Sequence, residues 1–270
     1  MVASGLVVPR CLTIAGSDSG GGAGIQADLK AFAHLGCYGM STIVALTAQN
    51  TTGVTAIHEV PPDIVVAQLE AVFGDIGVDA AKTGMLFSAA TIEAVADFLS
   101  ARPIPLVVDP VMVATSGARL LREDAVAVLV GRLFPLALVV TPNLPEACAL
   151  AGVPFGEEVD RRAVAEAVHA LGAAAVVITG GHGAEAADSL FDGREHVSIA
   201  VERYPGGATH GSGCTHSAAL AALLALGKPL EEAARGAAAI ASNAVRQGLV
   251  GLGAGQGPVD VLGLAAVRSR

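Results

Sequence analysis

Tryptophan is absent, lysine occurs only at Lys30, Lys82 and Lys228, and aromatic residues make up 3% of the 270 residues. Charged residues reach only 15% and the formal net charge is −9. A chain so poor in cations is unsuited to a nucleic-acid backbone, which excludes that partner class. The four cysteines, Cys11, Cys37, Cys148 and Cys214, form no C-x-x-C pair and no zinc-ligand spacing. They read as free thiols in a reducing compartment. The longest clean apolar runs are about half a membrane span, so no membrane partner is expected. Met1–Arg10 is too short for a secretory signal, and the next segment already reads as a strand. A soluble, cytoplasmic protein is therefore expected. Several nucleotide and hydrolase signatures are missing too. No G-K-[ST] occurs, which removes the Walker A loop, and no G-x-S-x-G nucleophile elbow is present. Gly20, Gly22 and Gly24 follow a strand, but Ile25 stands where a dinucleotide fingerprint needs its last glycine or alanine.

What the chain has in quantity is Ala, Val, Leu and Gly, with 53% hydrophobic residues. This suits a buried sheet covered by close-packed helices. Strands are expected at Cys11–Ala15, Met40–Thr47, Ala80–Thr83, Leu106–Asp109, Leu138–Thr141 and Ala175–Thr179. Helices are expected at Gly24–Leu35, Pro62–Asp75, Ala89–Ala101, Asp124–Leu133, Leu144–Ala151, Arg161–Leu171, Thr215–Leu226 and Glu231–Gln247. Strands alternating with helices imply βαβ units and a mostly parallel sheet. Ser189–Phe191 and Glu195–Val201, around Asp192-Gly193, read as an antiparallel hairpin. No linker, repeat or charge block divides the chain, so one domain over 1–270 is expected, with 1–10 as a short extension.

Polar and glycine-rich pieces recur just after the strands: Gly16–Gly24, Thr47–Asn50, Lys82–Met85, Asp109–Met112, Thr141–Asn143 and Gly180–Gly183. In open α/β sheets ligands bind beyond the carboxyl ends of the strands, so these endings should converge on one edge. The richest piece is His210-Gly-Ser-Gly-Cys-Thr-His216, which opens a run of small residues that reads as a buried helix. The free amides of a helix start suit an anion, and glycines let the backbone approach it. A thiol there is expected to have a lowered pKa.

Taken in order, Gly16–Lys30, Ala48-Gln-Asn50, Lys82–Leu86, Asp109–Met112, Thr141–Glu146, Gly180-Gly-His182 and His210–Thr215 resemble the hydroxymethylpyrimidine/phosphomethylpyrimidine kinases of thiamin biosynthesis, within the ribokinase-like superfamily. The resemblance runs from about Leu12 to Asp260. It implies a three-layer α/β/α ribokinase-like fold with a mostly parallel central sheet. It also implies ATP, Mg²⁺, a homodimer and two successive phosphorylations of a pyrimidine alcohol; a monovalent cation is a further candidate.

The same resemblance implies the site. Cys214 takes the substrate hydroxyl proton, and the amides of Gly211, Ser212 and Gly213 hold the transferring phosphoryl group. Gln49, Asp28, Gly16, Ala23, Met85 and Val111 bind the substrate ring. Asn143, Glu146, Thr179, Gly181 and His210 bind the nucleotide, and Glu146 with Asp109 serves the metal. Plainer readings stand beside these. Cys214 can be a structural thiol, Asp28 a capping carboxylate, Met85 core, and Glu146 a helix-start carboxylate. Asp109 can cap a turn, and His182 and His210 can be structural. Two departures from the family pattern are Thr115 and Thr179, where members often carry lysine; Arg119 or Arg203 could compensate. Alternative functions are a pyridoxal or pyridoxine kinase and a non-catalytic binder of thiamin precursors.

Overall fold

The computed structural model describes residues 8–113, 117, 120–156, 159–180 and 186–267. The sheet strands are β1 (Arg10–Asp18), β2 (Tyr38–Asn50), β3 (Gly53–Glu59), β4 (Ala80–Thr83), β5 (Leu106–Val108), β6 (Val139–Val140), β7 (Val176–Ile178), β8 (Ala187–Phe191) and β9 (His196–Ala200). The helices are α1 (Gly24–His34), α2 (Pro62–Ala71), α3 (Ala89–Ser100), α4 (Glu123–Val128), α5 (Leu144–Ala151), α6 (Arg161–His169), α7 (Ser212–Ala225), α8 (Leu230–Arg246) and α9 (Leu264–Val267). All strands join one sheet in the order β3-β2-β1-β4-β5-β6-β7-β8-β9. The run from β2 to β7 is parallel. Antiparallel strands flank it, β3 on one edge and the β8–β9 hairpin on the other.

Period-2 alternation in the central strands builds the two helix layers. Leu12, Ile14, Leu106, Val108, Val140, Val176 and Ile178 point to a core shared with α2, α3, α4, α5 and α6. Cys11, Val107, Val139 and Val177 point the other way, to a core shared with α1, α7 and α8. This is the three-layer arrangement that the resemblance implied. The second layer is built from small side chains. Ala218, Ala219, Ala221 and Ala222 of α7 lie with Ala233, Ala234, Ala237 and Ala238 of α8 in one fully buried cluster. Among the described residues no helix is long and apolar enough to cross a membrane.

Two differences from the sequence expectation are instructive. β3 was not expected, because none of its residues is buried and its side chains carry no apolar alternation. Its partner β2, not its own composition, makes it a strand, through pairing from Ala45–Glu59 to Asn50–Gly53. The helices expected at 62–75 and 124–133 end early and widen into π turns at Val72–Ile76 and Leu129–Leu133. The second of these turns brings Leu129 and Leu133 into the first core without breaking the helical path.

Phe32 of α1 is fully buried against the sheet in the second layer. Phe32→Ala should cost about 3–5 kcal/mol of unfolding free energy. Urea denaturation should show a lower midpoint with an unchanged m value.

Candidate active site

A cavity of about 780 Å³ lies across the carboxyl ends of β1, β2 and β4 to β7, beside the start of α7. Gly16, Ser17 and Asp18 reach it from the end of β1, Ala23 from the loop that follows, and Thr47 and Gln49 from β2. Lys82 and Met85 follow from β4, Asp109 and Val111 from β5, Asn143 and Glu146 from β6, Thr179 from β7, and His210 to Cys214 from the turn into α7. The endings that the sequence suggested should converge do so. Gly181, His182, Thr115 and Arg119 lie outside the described residues. The cavity also has a wall that the sequence did not reveal: Val201 to Pro205 face Ala238, Ala241, Ser242 and Val245 of α8, alongside Asp188 and His216. The four α8 positions recur at helical spacing on one face. From sequence alone such a stripe cannot be told from core.

The first loop is organised by one carboxylate. Asp18 Oδ1 accepts from the Gly20 amide at 2.8 Å, and Oδ2 accepts from the amides of Gly22 at 3.0 Å and Ala23 at 2.8 Å. Burial works to raise the Asp18 pKa, but the His210 hydrogen bond and the loop amides outweigh it and hold it below the usual range. His210 Nε2 lies 3.1 Å from Asp18 Oδ2 and 3.4 Å from Gln49 Nε2. His210 was expected with the nucleotide; its side-chain contacts instead belong to the Asp18–Gln49 end. Gly211 has φ +83°, and a Cβ there would stand 1.8 Å from the Gly22 carbonyl oxygen. Only glycine lets the two loops meet this closely.

Asp28 departs from its expected place in the substrate pocket. It is fully buried under the cavity, where it accepts from Thr13 Oγ1 at 2.6 Å and from Lys82 Nζ at 3.0 Å through both oxygens. It does not cap α1 either, whose first turn holds no acidic residue. The reason is strand alternation. Ala81 faces the first core, so Lys82 faces α1 and needs a counter-charge there. Asp109 Oδ2 lies 3.8 Å from the same ammonium and accepts from Ser217 Oγ at 2.8 Å. Burial acts to lower the Lys82 pKa, but Asp28, Cys214 and Asp109 outweigh it and keep the ammonium charged. Lys82 is the residue the sequence reading passed over. Its signal was present: one of three lysines, set in the middle of an apolar strand.

Cys214 is half-buried at the third position of α7. Its pKa was expected to be lowered. Burial instead pushes it up to about 12, with Asp28 and Asp109 adding to the rise, and Lys82 and the Gly24 amide only partly opposing it. Of the three amides expected to form a cradle, that of Ser212 is engaged, since it donates to the Thr209 carbonyl at 3.1 Å.

Asn143 and Glu146 form a capping box at the start of α5. Asn143 Oδ1 accepts from the Glu146 amide at 2.9 Å, and Glu146 Oε2 accepts from the Asn143 amide at 3.0 Å. Glu146 Oε1 also accepts from the Met112 amide at 3.3 Å. Burial first, and the Asp109 charge second, push the Glu146 carboxyl up to about 8. Among the described residues no three acidic, histidine or cysteine side chains gather into a metal cage. A mutually opposed carboxyl pair on the cavity wall nonetheless fits Mg²⁺, which takes one or two carboxylates and fills its shell with phosphate oxygens and water.

Two measurements test this electrostatic account. Lys82→Met leaves Asp28 buried and unpaired, so it should destabilise the protein by about 3–5 kcal/mol. Adding Asp28→Asn should restore part of that loss in the same urea titration. Alkylation of Cys214 by iodoacetamide, followed by peptide mass spectrometry, should keep rising about tenfold per pH unit from pH 7 to beyond pH 10. A plateau near pH 7 would show a thiolate already formed.

The profile of the phosphomethylpyrimidine kinase family matches residues 18–260. The hydroxymethylpyrimidine/phosphomethylpyrimidine kinase of Rhizobium meliloti is 53% identical over 252 residues, covering 92% of this chain and 95% of that protein. The thiamine biosynthesis bifunctional protein of Geobacter sulfurreducens is 52% identical over 263 residues; the match covers 96% of this chain and 54% of that longer protein. Among solved structures, an ADP complex of Bacillus subtilis pyridoxal kinase superposes with a TM-score of 0.87 at 38% identity, covering 97% of this chain and all of that one. The fold is thus ribokinase-like, and the chain belongs to the phosphomethylpyrimidine kinase family.

Proposed function

We propose that the protein transfers the γ-phosphoryl group of ATP to the hydroxymethyl oxygen of 4-amino-5-hydroxymethyl-2-methylpyrimidine. It then phosphorylates the resulting monophosphate to the diphosphate required for thiamin. The observation that carries this reading is the continuity of one cavity. A slot for a flat ring, between Gly16, Ala23, Met85, Val111 and Gln49, opens directly onto Cys214 and the first amides of α7.

Each part has a physical task. The Gln49 amide can both donate to and accept from an aminopyrimidine edge. Gly16 makes room for the Met85 wall of the slot, since a Cβ there would stand 2.7 Å from Met85 Cε. The Gly213 and Cys214 amides, with the helix dipole behind them, face the charge that develops on the transferring phosphoryl oxygens. Only the thiolate of Cys214 can take the hydroxyl proton, so the transfer draws on the small deprotonated fraction, and a loose phosphoryl transition state asks little of that base until the new bond is nearly made. The Lys82 ammonium is the charge that opposes the high thiol pKa. Asn143 and Thr179 stand at the phosphate end; their backbones are bridged across β6 and β7. Glu146 and Asp109 would hold Mg²⁺, which would supply charge neutralisation on the phosphate oxygens. The small-residue face of α8 opposite Val201–Pro205 takes the adenine.

Pyridoxal is the second candidate substrate, on the strength of the Bacillus subtilis neighbour. A product assay with the pyrimidine alcohol, its phosphate and pyridoxal in parallel separates the readings. The expected result is pyrimidine diphosphate as the main product; turnover of pyridoxal alone would overturn the proposal. In the same assay Cys214→Ala should lower kcat by about 10²-fold or more with the pyrimidine KM little changed. Cys214→Asp should retain measurable turnover.

A further inference from the structure

The cavity wall is electrostatically lopsided for a polyphosphate ligand. Among the described residues its carboxyl side chains are Asp18, Asp109, Glu146, Asp188 and Glu202, against the cations Lys82 and Arg203. Lys82 is tied to Asp28 beneath the floor. A nucleoside triphosphate carries about four negative charges at neutral pH, so the phosphate end needs further donors.

His216 is placed to be one. It sits one turn into α7, lines the cavity, and its side chain is only 4% exposed. Nε2 lies 3.3 Å from Asp188 Oδ2, close enough for an ion pair but out of line for a hydrogen bond. Both ring nitrogens lack a hydrogen-bond partner among the described residues and are closed to the cavity, so a half-turn of the ring must bring one of them to a ligand. Leaving such a group unmatched in a folded interior is costly, so it points to a ligand that completes it. The surroundings say which end of the ligand. Asp188 Oδ1 accepts from the Gly180 amide at 2.6 Å, next to Thr179, so one carboxylate ties the strand end of β7 to the His216 ring. Gly180 is required there, since a Cβ would stand 1.7 Å from the Ala187 carbonyl oxygen. The adjacent residue on α7, Ser217, donates to Asp109. His216 is thus held between the ends of β5 and β7, the two strands beside the Asn143–Glu146 turn.

We infer that His216, aimed by Asp188, hydrogen-bonds the phosphate chain of the bound nucleotide and supplies a donor where Thr179 offers no charge. This rests on the kinase reading. Asp188 is a positioning residue in this scheme; His216 touches the ligand.

Calorimetric titration with ADP and with adenosine as probes tests it. Wild-type protein should bind ADP; if it does not, the kinase reading itself falls. Given wild-type ADP binding, His216→Leu should weaken ADP by about 10–100-fold while adenosine affinity stays within twofold. His216→Gln retains an amide donor and should recover part of the loss. Asp188→Asn keeps the acceptor for Gly180 and should fall between wild type and His216→Leu. Unchanged ADP affinity in His216→Leu would overturn the inference, as would equal loss for ADP and adenosine, which marks a packing role. Should the leucine variant fail to fold, His216→Ala and His216→Gln decide: a selective loss of ADP affinity in the alanine variant that is smaller in the glutamine variant supports donation by the side chain, and equal ADP affinity in the two overturns it.

Discussion

A buried ammonium at the cavity floor governs the arrangement of everything above it. Lys82 has no exposed side-chain surface and lies within 3.0 Å of Asp28 and 3.8 Å of Asp109. A charge in that position is tolerable only with its partners in place. The need for those partners sets the rotation of α1, which carries Asp28. It also links the end of β5 to α7, because Asp109 is shared with Ser217. Cys214 lies in the same field, so the charge that holds two layers together also acts on the proposed proton acceptor.

A second carboxylate performs the comparable task for the loops. Asp18 gathers three amides of the glycine-rich turn and meets His210 from the turn before α7. The contact between Gly22 and Gly211 then brings the ring slot and the helix start together without an intervening side chain. The site is in this sense a product of backbone packing. Its donors are amides positioned by glycine and by buried carboxylates, which needs few cations and suits a chain with three lysines.

Much of the fold was legible because buried strands and small-residue helices leave strong local marks. Ala80–Thr83 and Leu144–Ala151 are placed as expected to the residue, and most other elements within a few positions. The cap at Asn143 and the break at Gly211 carry their own local chemistry. What was illegible depended on partners distant in sequence. β3 is a strand only because β2 offers it an edge. Asp28 leaves the pocket only because Lys82 projects toward it. His210 joins Asp18 across 192 positions of sequence. Motif order marked Cys214 as a site residue, but its proton affinity is decided by surrounding burial and charge, which no local pattern carries.

The sequence alone therefore determined the layer architecture, the edge of the sheet that binds, and the ordered motifs that place the chain in its family. The layers and the sheet edge follow from periodicity and turn chemistry, and the family from the resemblance that the ordered motifs carry. Tertiary structure decided the upward pKa shifts of Cys214 and Glu146, the burial of Asp28, and the presence of His216 and the α8 face in the cavity. Those properties depend on which groups meet in a low-dielectric interior, and long-range packing alone sets that.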